Sequence, residues 1–212
     1  MALITISRMY GSGGSEVAER VARALDWQLV DNDFVDAVAE KLGVSREEVE
    51  EREERVPSLA QRLADSLALG APEVLAASTA TLPPSEERIL AVTERVIDEL
   101  VARGSSVLVG RGAQCVLAER TDVLHVFCYA PPPALIERAA KRLGVPPREA
   151  ERVVGEINRQ REQYVKRHWN RAWLSPANYH LLLNTAWLGV DGAADVVVRT
   201  ARAMFGTSTE AP

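Results

Sequence analysis

A short apolar strand, Ile4-Thr5-Ile6, passes through Ser7-Arg8-Met9-Tyr10 into a glycine-rich turn, Gly11-Ser12-Gly13-Gly14, and directly into the amphipathic run Val17 to Leu25. A strand that feeds a helix through glycines places unpaired backbone N–H groups and the positive helix end at one point, which is where α/β proteins hold phosphate. Set against the pattern GxxxxGK(S/T), Gly13 takes the second glycine, Gly14 the lysine position, Ser15 the hydroxyl position and Arg8 the opening glycine. The backbone cradle is kept and its usual cation is missing.

The remaining chain alternates strand and helix. Short apolar runs at Trp27 to Val30, Ser105 to Val109, Val123 to Tyr129 and Tyr179 to Leu183 read as four further strands. Helical patterns follow Asp31-Asn32-Asp33, Gly110-Arg111-Gly112, Pro131-Pro132-Pro133 and Pro146-Pro147, and a terminal helix runs from about Val190 to Phe205. This order predicts a parallel sheet covered by helices on both faces, folded as one domain over residues 1–212. Residues from about 45 to 84 interrupt it as a helical insertion between the second and third strands. A basic segment at about 155–176, containing Arg159, Arg161, Lys166, Arg167 and Arg171, is placed to act as a lid.

A net charge of -5 and a pI near 5.4 argue against a nucleic-acid polymer as partner, so an anion site has to be local. Lysine occurs only at Lys41, Lys141 and Lys166. Arginine therefore supplies nearly all the positive charge and favours forked contacts to phosphate or carboxylate. Cys115 and Cys128 fit neither a disulfide framework nor a zinc knuckle and read as buried thiols. His125, His168 and His180 lack metal-ligand spacing, and Trp169, Trp173 and Trp187 read as packing anchors. Without a leader-like segment or a run long enough to span a bilayer, a cytoplasmic location without membrane contact is expected. Oligomeric state leaves no trace in the sequence.

In an open parallel sheet, ligands bind beyond the carboxyl ends of the strands. The residues so placed are Arg8 to Ser15, Asp31 and Asp33, Arg111, the prolines 131 to 133, and Asn184-Thr185.

Three stretches in order resemble the cytidylate kinase-like branch of the nucleoside monophosphate kinases. They are Ile6-Ser7-Arg8-Met9-Tyr10-Gly11-Ser12-Gly13-Gly14, Val107-Leu108-Val109-Gly110-Arg111-Gly112-Ala113, and Trp173-Leu174-Ser175-Pro176-Ala177-Asn178-Tyr179-His180-Leu181-Leu182-Leu183-Asn184-Thr185. The resemblance implies a three-layer P-loop kinase fold with a five-stranded parallel sheet, in which the insertion is a monophosphate-binding segment and the lid is arginine-rich. It implies transfer of the γ-phosphoryl group of ATP to CMP or dCMP with Mg2+ as cofactor. By position, Gly11, Ser12, Gly13, Gly14 and Ser15 would hold the ATP phosphates, with Ser15 and Asp31 near the metal. Arg111 would grip the acceptor phosphate, Arg159 and Arg161 would neutralise the transferring group, and Asn184-Thr185 would lie close to the nucleotide. Arg8 is the first candidate for the missing loop cation and Arg161 the second. The chain has Ser15 where relatives tend to have arginine, and Asn158, Ser175 and His180 where they often have aspartate. Two alternatives therefore stand: a catalytically impaired nucleotide-binding regulator, and a P-loop kinase for another small acceptor, since Asp31-x-Asp33 also resembles shikimate-type kinases.

Overall fold

A computed structural model describes residues 2–30, 91–92, 95–99, 102 and 104–206. The helical readings between residues 31 and 90, the insertion and Asp31 with them, lie outside the described residues. The first strand, β1 (Leu3–Arg8), leads into α1 (Gly14–Leu25) and β2 (Gln28–Val30). Further along come β3 (Ser106–Val109), the short α2 (Ala113–Val116), β4 (Val123–Tyr129) and α3 (Pro132–Leu143). The chain continues through α4 (Pro147–Trp169), a 3-10 turn at Pro176–Asn178, β5 (Leu181–Asn184) and α5 (Thr185–Phe205).

The five strands form one sheet in the order β2-β3-β1-β4-β5, and every neighbouring pair is parallel. β1 is central because both its edges are paired: Ile4 sits opposite Val107 on one side and Leu124 on the other. It is buried on both faces, so Leu3 to Ser7 are out of solvent without a break, Thr5 and Ser7 included. On one face Ile4, Ile6, Val107, Val109, Leu124 and Val126 pack under Val17 and Val21 of α1 and Val197 of α5. Complete burial of each such side chain contributes roughly 1.5–3 kcal/mol. On the other face Phe127 meets Trp173 edge-on at 5.2 Å, beside Tyr179 and Val165 of α4. Leu135 and Ala139 of α3 join Ala150 and Val154 of α4 in a smaller cluster against Met9 and Tyr10.

The five expected strands are present, with shifted ends. The fifth begins at Leu181 rather than Tyr179 and runs to Asn184. The last helix starts at Thr185, five residues before the expected Val190, because Asn184 caps it and Gly189 kinks it with φ 71 and ψ 173 without ending it. Cys115 and Cys128 are both buried thiols. Burial pushes them up to about 11 and about 12 respectively, while Arg8 opposes the rise at Cys128. Trp169 and Trp173 pack as expected, whereas Trp187 is 84% exposed. Among the described residues no helix is long and apolar enough to cross a membrane.

Candidate active site

The glycine-rich loop is fixed from behind. Ser12 is buried and turned inward, its Oγ donating to the Met9 carbonyl at 2.8 Å and its N–H to the same oxygen at 3.1 Å. The Ser12 carbonyl in turn accepts from Arg138 Nη1 at 2.7 Å and Thr185 Oγ1 at 2.5 Å. Arg138 also reaches the Thr185 carbonyl through Nη2 at 3.0 Å, so α3, α5 and the loop meet at one buried joint. Gly11, at φ 83, lies so close to α3 that a Cβ would come within 2.5 Å of the Leu135 carbonyl oxygen. Gly13, at φ 77, is the N-cap of α1 and offers no side chain to the helix end. The N–H groups of Gly14, Ser15 and Glu16 therefore lack acceptors within the helix and open onto a cleft of about 710 Å³. Glu16 and Glu19 line the same cleft, so its positive charge comes from Arg8, Arg142 and Arg161.

Arg8 explains the missing lysine. A Cβ on Gly14 would overlap Arg8 Cβ and approach Cys128 Cβ to 3.1 Å, so the arginine stem fills the space that a side chain at the lysine position would need. At its other end, a Cβ on Gly110 would overlap Arg8 Nη1. The side chain thus runs from the loop to the Gly-Arg-Gly turn, and a glycine makes room for it at each end.

That turn is strained. Gly110, Arg111 and Gly112 are all left-handed, at φ 73, 56 and 68, and the Ala113 N–H closes the turn onto the Gly110 carbonyl at 3.1 Å. For Arg111, which has a Cβ, this conformation costs roughly 1–2 kcal/mol. Gly112 is pressed against the indole of Trp169, at the end of α4. Between the turn and α4 lies a second cleft of about 620 Å³, lined by Arg8, Arg111 and Arg161 among others.

Helix α4 closes both clefts from above. Asn158 Oδ1 accepts from the Tyr10 N–H at 2.7 Å, and one turn later Arg161 Nη1 donates to the Arg8 carbonyl at 2.9 Å. Ile157, Gln160, Arg161, Tyr164 and Val165 make up the helix face over the second cleft.

Arg8, Arg111, Arg161 and the loop from Gly11 to Ser15 are therefore brought together. Arg159 is not: it is exposed and lines neither cleft, because two residues turn a helix by about 200° relative to Arg161. Asn184 caps the last helix, and Thr185 holds the loop from behind. Asn184 Oδ1 caps α5 by accepting from the N–H groups of Ala186 at 3.1 Å and Trp187 at 3.3 Å, and Thr185 is wholly buried beneath Ser12. Sequence reasoning missed Arg138, whose only signal was one more arginine on a basic helix. It also missed the tether made by Asn158. Ser15 places a hydroxyl in the first turn of α1, in the cleft that Glu16 and Glu19 also line, a hard oxygen donor of the kind that suits Mg2+.

The model of the cytidylate kinase-like family matches residues 3–186. No curated protein matches the sequence. An uncharacterized protein from Eubacterium ventriosum is 18% identical with a TM-score of 0.70, the match covering 96% of this chain and 99% of that one. The crystal structure of TT1252 from Thermus thermophilus is 20% identical with a TM-score of 0.52, covering 95% and 96%. A sugar kinase from Janibacter sp. HTCC2649 is 15% identical with a TM-score of 0.50, covering 98% and 96%. These likenesses establish a shared fold, the parallel five-stranded α/β architecture of P-loop kinases.

Proposed function

This chain belongs to the cytidylate kinase-like family, and from that premise we propose that it transfers the γ-phosphoryl group of ATP to CMP or dCMP. The observation that carries the reading is that the loop cleft and the Gly-Arg-Gly cleft share two residues, Arg8 and Arg161. A phosphoryl group passing from a donor in one to an acceptor in the other crosses between two guanidinium groups.

Phosphoryl transfer needs little covalent help from protein; it needs alignment and charge neutralisation. The N–H groups of Gly14, Ser15 and Glu16 hold the donor polyphosphate at the positive end of α1. Arg111, presented by its strained turn, holds the acceptor phosphate. An oxygen of that phosphate forms the new bond to the γ-phosphorus as the bond to the β–γ bridging oxygen breaks, and ADP leaves with that electron pair. Arg8 and Arg161 neutralise the charge that spreads over the γ-oxygens, with forked donors that do not lose their protons. A further cleft, lined by Tyr10, Ala139, Arg142 and Val190, adjoins the loop and gives the donor nucleoside room. Bound Mg2+ would neutralise donor phosphate oxygens; Ser15 is the described residue that would help hold it, and Asp31, the other candidate, lies outside the described residues.

A coupled assay of ADP formation across nucleoside monophosphates, sugar phosphates and small hydroxy acids tests the proposal. ADP formation with CMP or dCMP is expected, and its absence with every pyrimidine monophosphate sinks this acceptor assignment. Calorimetric binding of ATP without turnover on any acceptor would instead favour the regulator, the reading motivated by Ser15 and Asn158.

A further inference from the structure

Gln114 stands in α2, three residues beyond Arg111, and lines the cleft that holds Arg8, Arg111 and Arg161. It is 3% exposed, and among the described residues no hydrogen bond engages its side-chain amide, which keeps its contact with solvent through the cleft. Other buried polar side chains nearby are engaged. The Ser12 hydroxyl donates to the Met9 carbonyl, that of Thr185 donates to the Ser12 carbonyl, and Thr5 shares a hydrogen bond with His125. An amide that folding leaves without a protein partner adds no hydrogen bond to the folded state, so folding alone gives no reason for glutamine here over methionine.

The three arginines already provide forked cations for a phosphate, and a neutral amide adds nothing to charge neutralisation. What it adds is a planar group with two N–H donors and a carbonyl acceptor, suited to an uncharged polar group such as a hydroxyl or the heteroatom edge of a ring. We propose that Gln114 is the specificity-determining residue of this cleft. It hydrogen-bonds the neutral part of a phosphorylated acceptor and so lets the cleft prefer a phosphate ester to inorganic phosphate. The proposal rests on the assignment of this cleft to the acceptor made above, and it deepens that assignment by saying which side chain reads the acceptor beyond its phosphate. A site whose buried amide is satisfied only by ligand rejects a ligand lacking the matching group, because the amide is then left unpaired.

Gln114→Met keeps chain length and approximate volume while removing both hydrogen-bonding atoms. Calorimetric titrations of wild type and variant with inorganic phosphate, ribose 5-phosphate and CMP read the effect. In wild type, at least one ester should bind more tightly than phosphate. In Gln114→Met that preference should fall by about 5- to 100-fold, with the affinity for phosphate itself within about twofold of wild type. The variant should also melt no lower than wild type, since the amide it removes has no protein partner. The proposal is overturned if the preference survives the substitution, if phosphate binding falls as much as ester binding, if no ester outbinds phosphate in wild type, or if the variant melts lower. Should ribose 5-phosphate show the preference and lose it in the variant while CMP never shows it, the nucleotide assignment falls and the role of Gln114 stands.

Discussion

Arg161 donates from Nη1 to the backbone carbonyl of Arg8 at 2.9 Å, so the helix above the site is tied to the strand end from which the loop departs. Through this bond one arginine both lines the two clefts and holds in place the residue that lines them with it. Arg161→Ala is therefore expected to lower kcat by about 10²- to 10³-fold, the range for removing one preorganised charge-stabilising donor. Arg161→Lys should recover only part of this, since an ammonium lacks the planar fork. Steady-state kinetics with ATP and the preferred acceptor checks both; wild-type turnover in the alanine variant would remove Arg161 from the mechanism.

The relation of Gly14 to Arg8 predicts a reciprocal exchange. Restoring the lysine of the GxxxxGK(S/T) pattern by Gly14→Lys alone drives its Cβ into the Arg8 stem, and overpacking of this kind costs about 1–3 kcal/mol. Removing the stem at the same time, as Arg8→Gly with Gly14→Lys, should recover most of that stability. Urea denaturation of the two single variants and the double variant closes the cycle, and additive losses would show that the two positions do not compete for space.

Arg111 is the non-glycine residue in a left-handed turn of three, so strain and function should separate there. Arg111→Gly is expected to be about 1 kcal/mol more stable than Arg111→Ala, because glycine occupies this region without the Cβ penalty. Both variants should lose acceptor affinity to a similar degree. Chemical denaturation alongside acceptor titration measures the two effects independently; equal stability of the pair would mean that the turn relaxes.

Much of this arrangement was legible in local patterns. Ile4 to Ile6 followed by glycines announced a strand, turn and helix because each step has its own period or its own backbone demand. Arg111 stood out because it follows an apolar strand between two glycines. Arg159 was read alongside Arg161 because a run of charge does not reveal which face of a helix looks inward. The spacing of Ile157, Arg161, Tyr164 and Val165 carried that phase, at intervals of four, three and one residues. The start of α5 was placed late because Gly189 resembles a boundary, whereas the cap at Asn184 was the stronger signal. Arg138 could not be found this way: its partner Ser12 is 126 residues distant, and only the fold brings α3 behind the loop.

Thr185 tests whether the loop depends on that buried joint. Thr185→Val keeps the shape of the side chain and removes the hydroxyl that donates to the Ser12 carbonyl, beside Arg138. A loss of about 1–3 kcal/mol is expected for disturbing a buried hydrogen-bonded group. ATP affinity should fall as well, although Thr185 lies behind the loop. Calorimetry with ATP decides the point: unchanged affinity in a destabilised variant would confine Thr185 to folding.

A final expectation concerns acid, and it arises away from the clefts. His125 lies on β4 at 5% exposure, its Nδ1 sharing a hydrogen bond with Thr5 Oγ1 at 2.7 Å and its backbone N–H donating to His180 Nδ1 at 2.9 Å. The two imidazoles stack with centroids 5.2 Å apart. Burial is the main reason its protonation is pushed down to about 4, with the charges of His180 and, more weakly, Arg171 acting in the same direction, opposed in part by the Leu117 backbone. In the unfolded chain a histidine takes up its proton near pH 6.5. Between these values the unfolded state binds more protons than the folded one, so stability falls as pH is lowered from about 6.5 towards 4. The loss between pH 7 and pH 5 should be on the order of 1–2 kcal/mol. Carboxylates elsewhere titrate in the lower part of this range, so the contribution of His125 is the difference between wild type and His125→Gln, which carries no titrating group. Urea unfolding at a series of pH values should give a flatter profile for the variant across this window; parallel profiles would mean that His125 keeps its ordinary proton affinity in the folded protein.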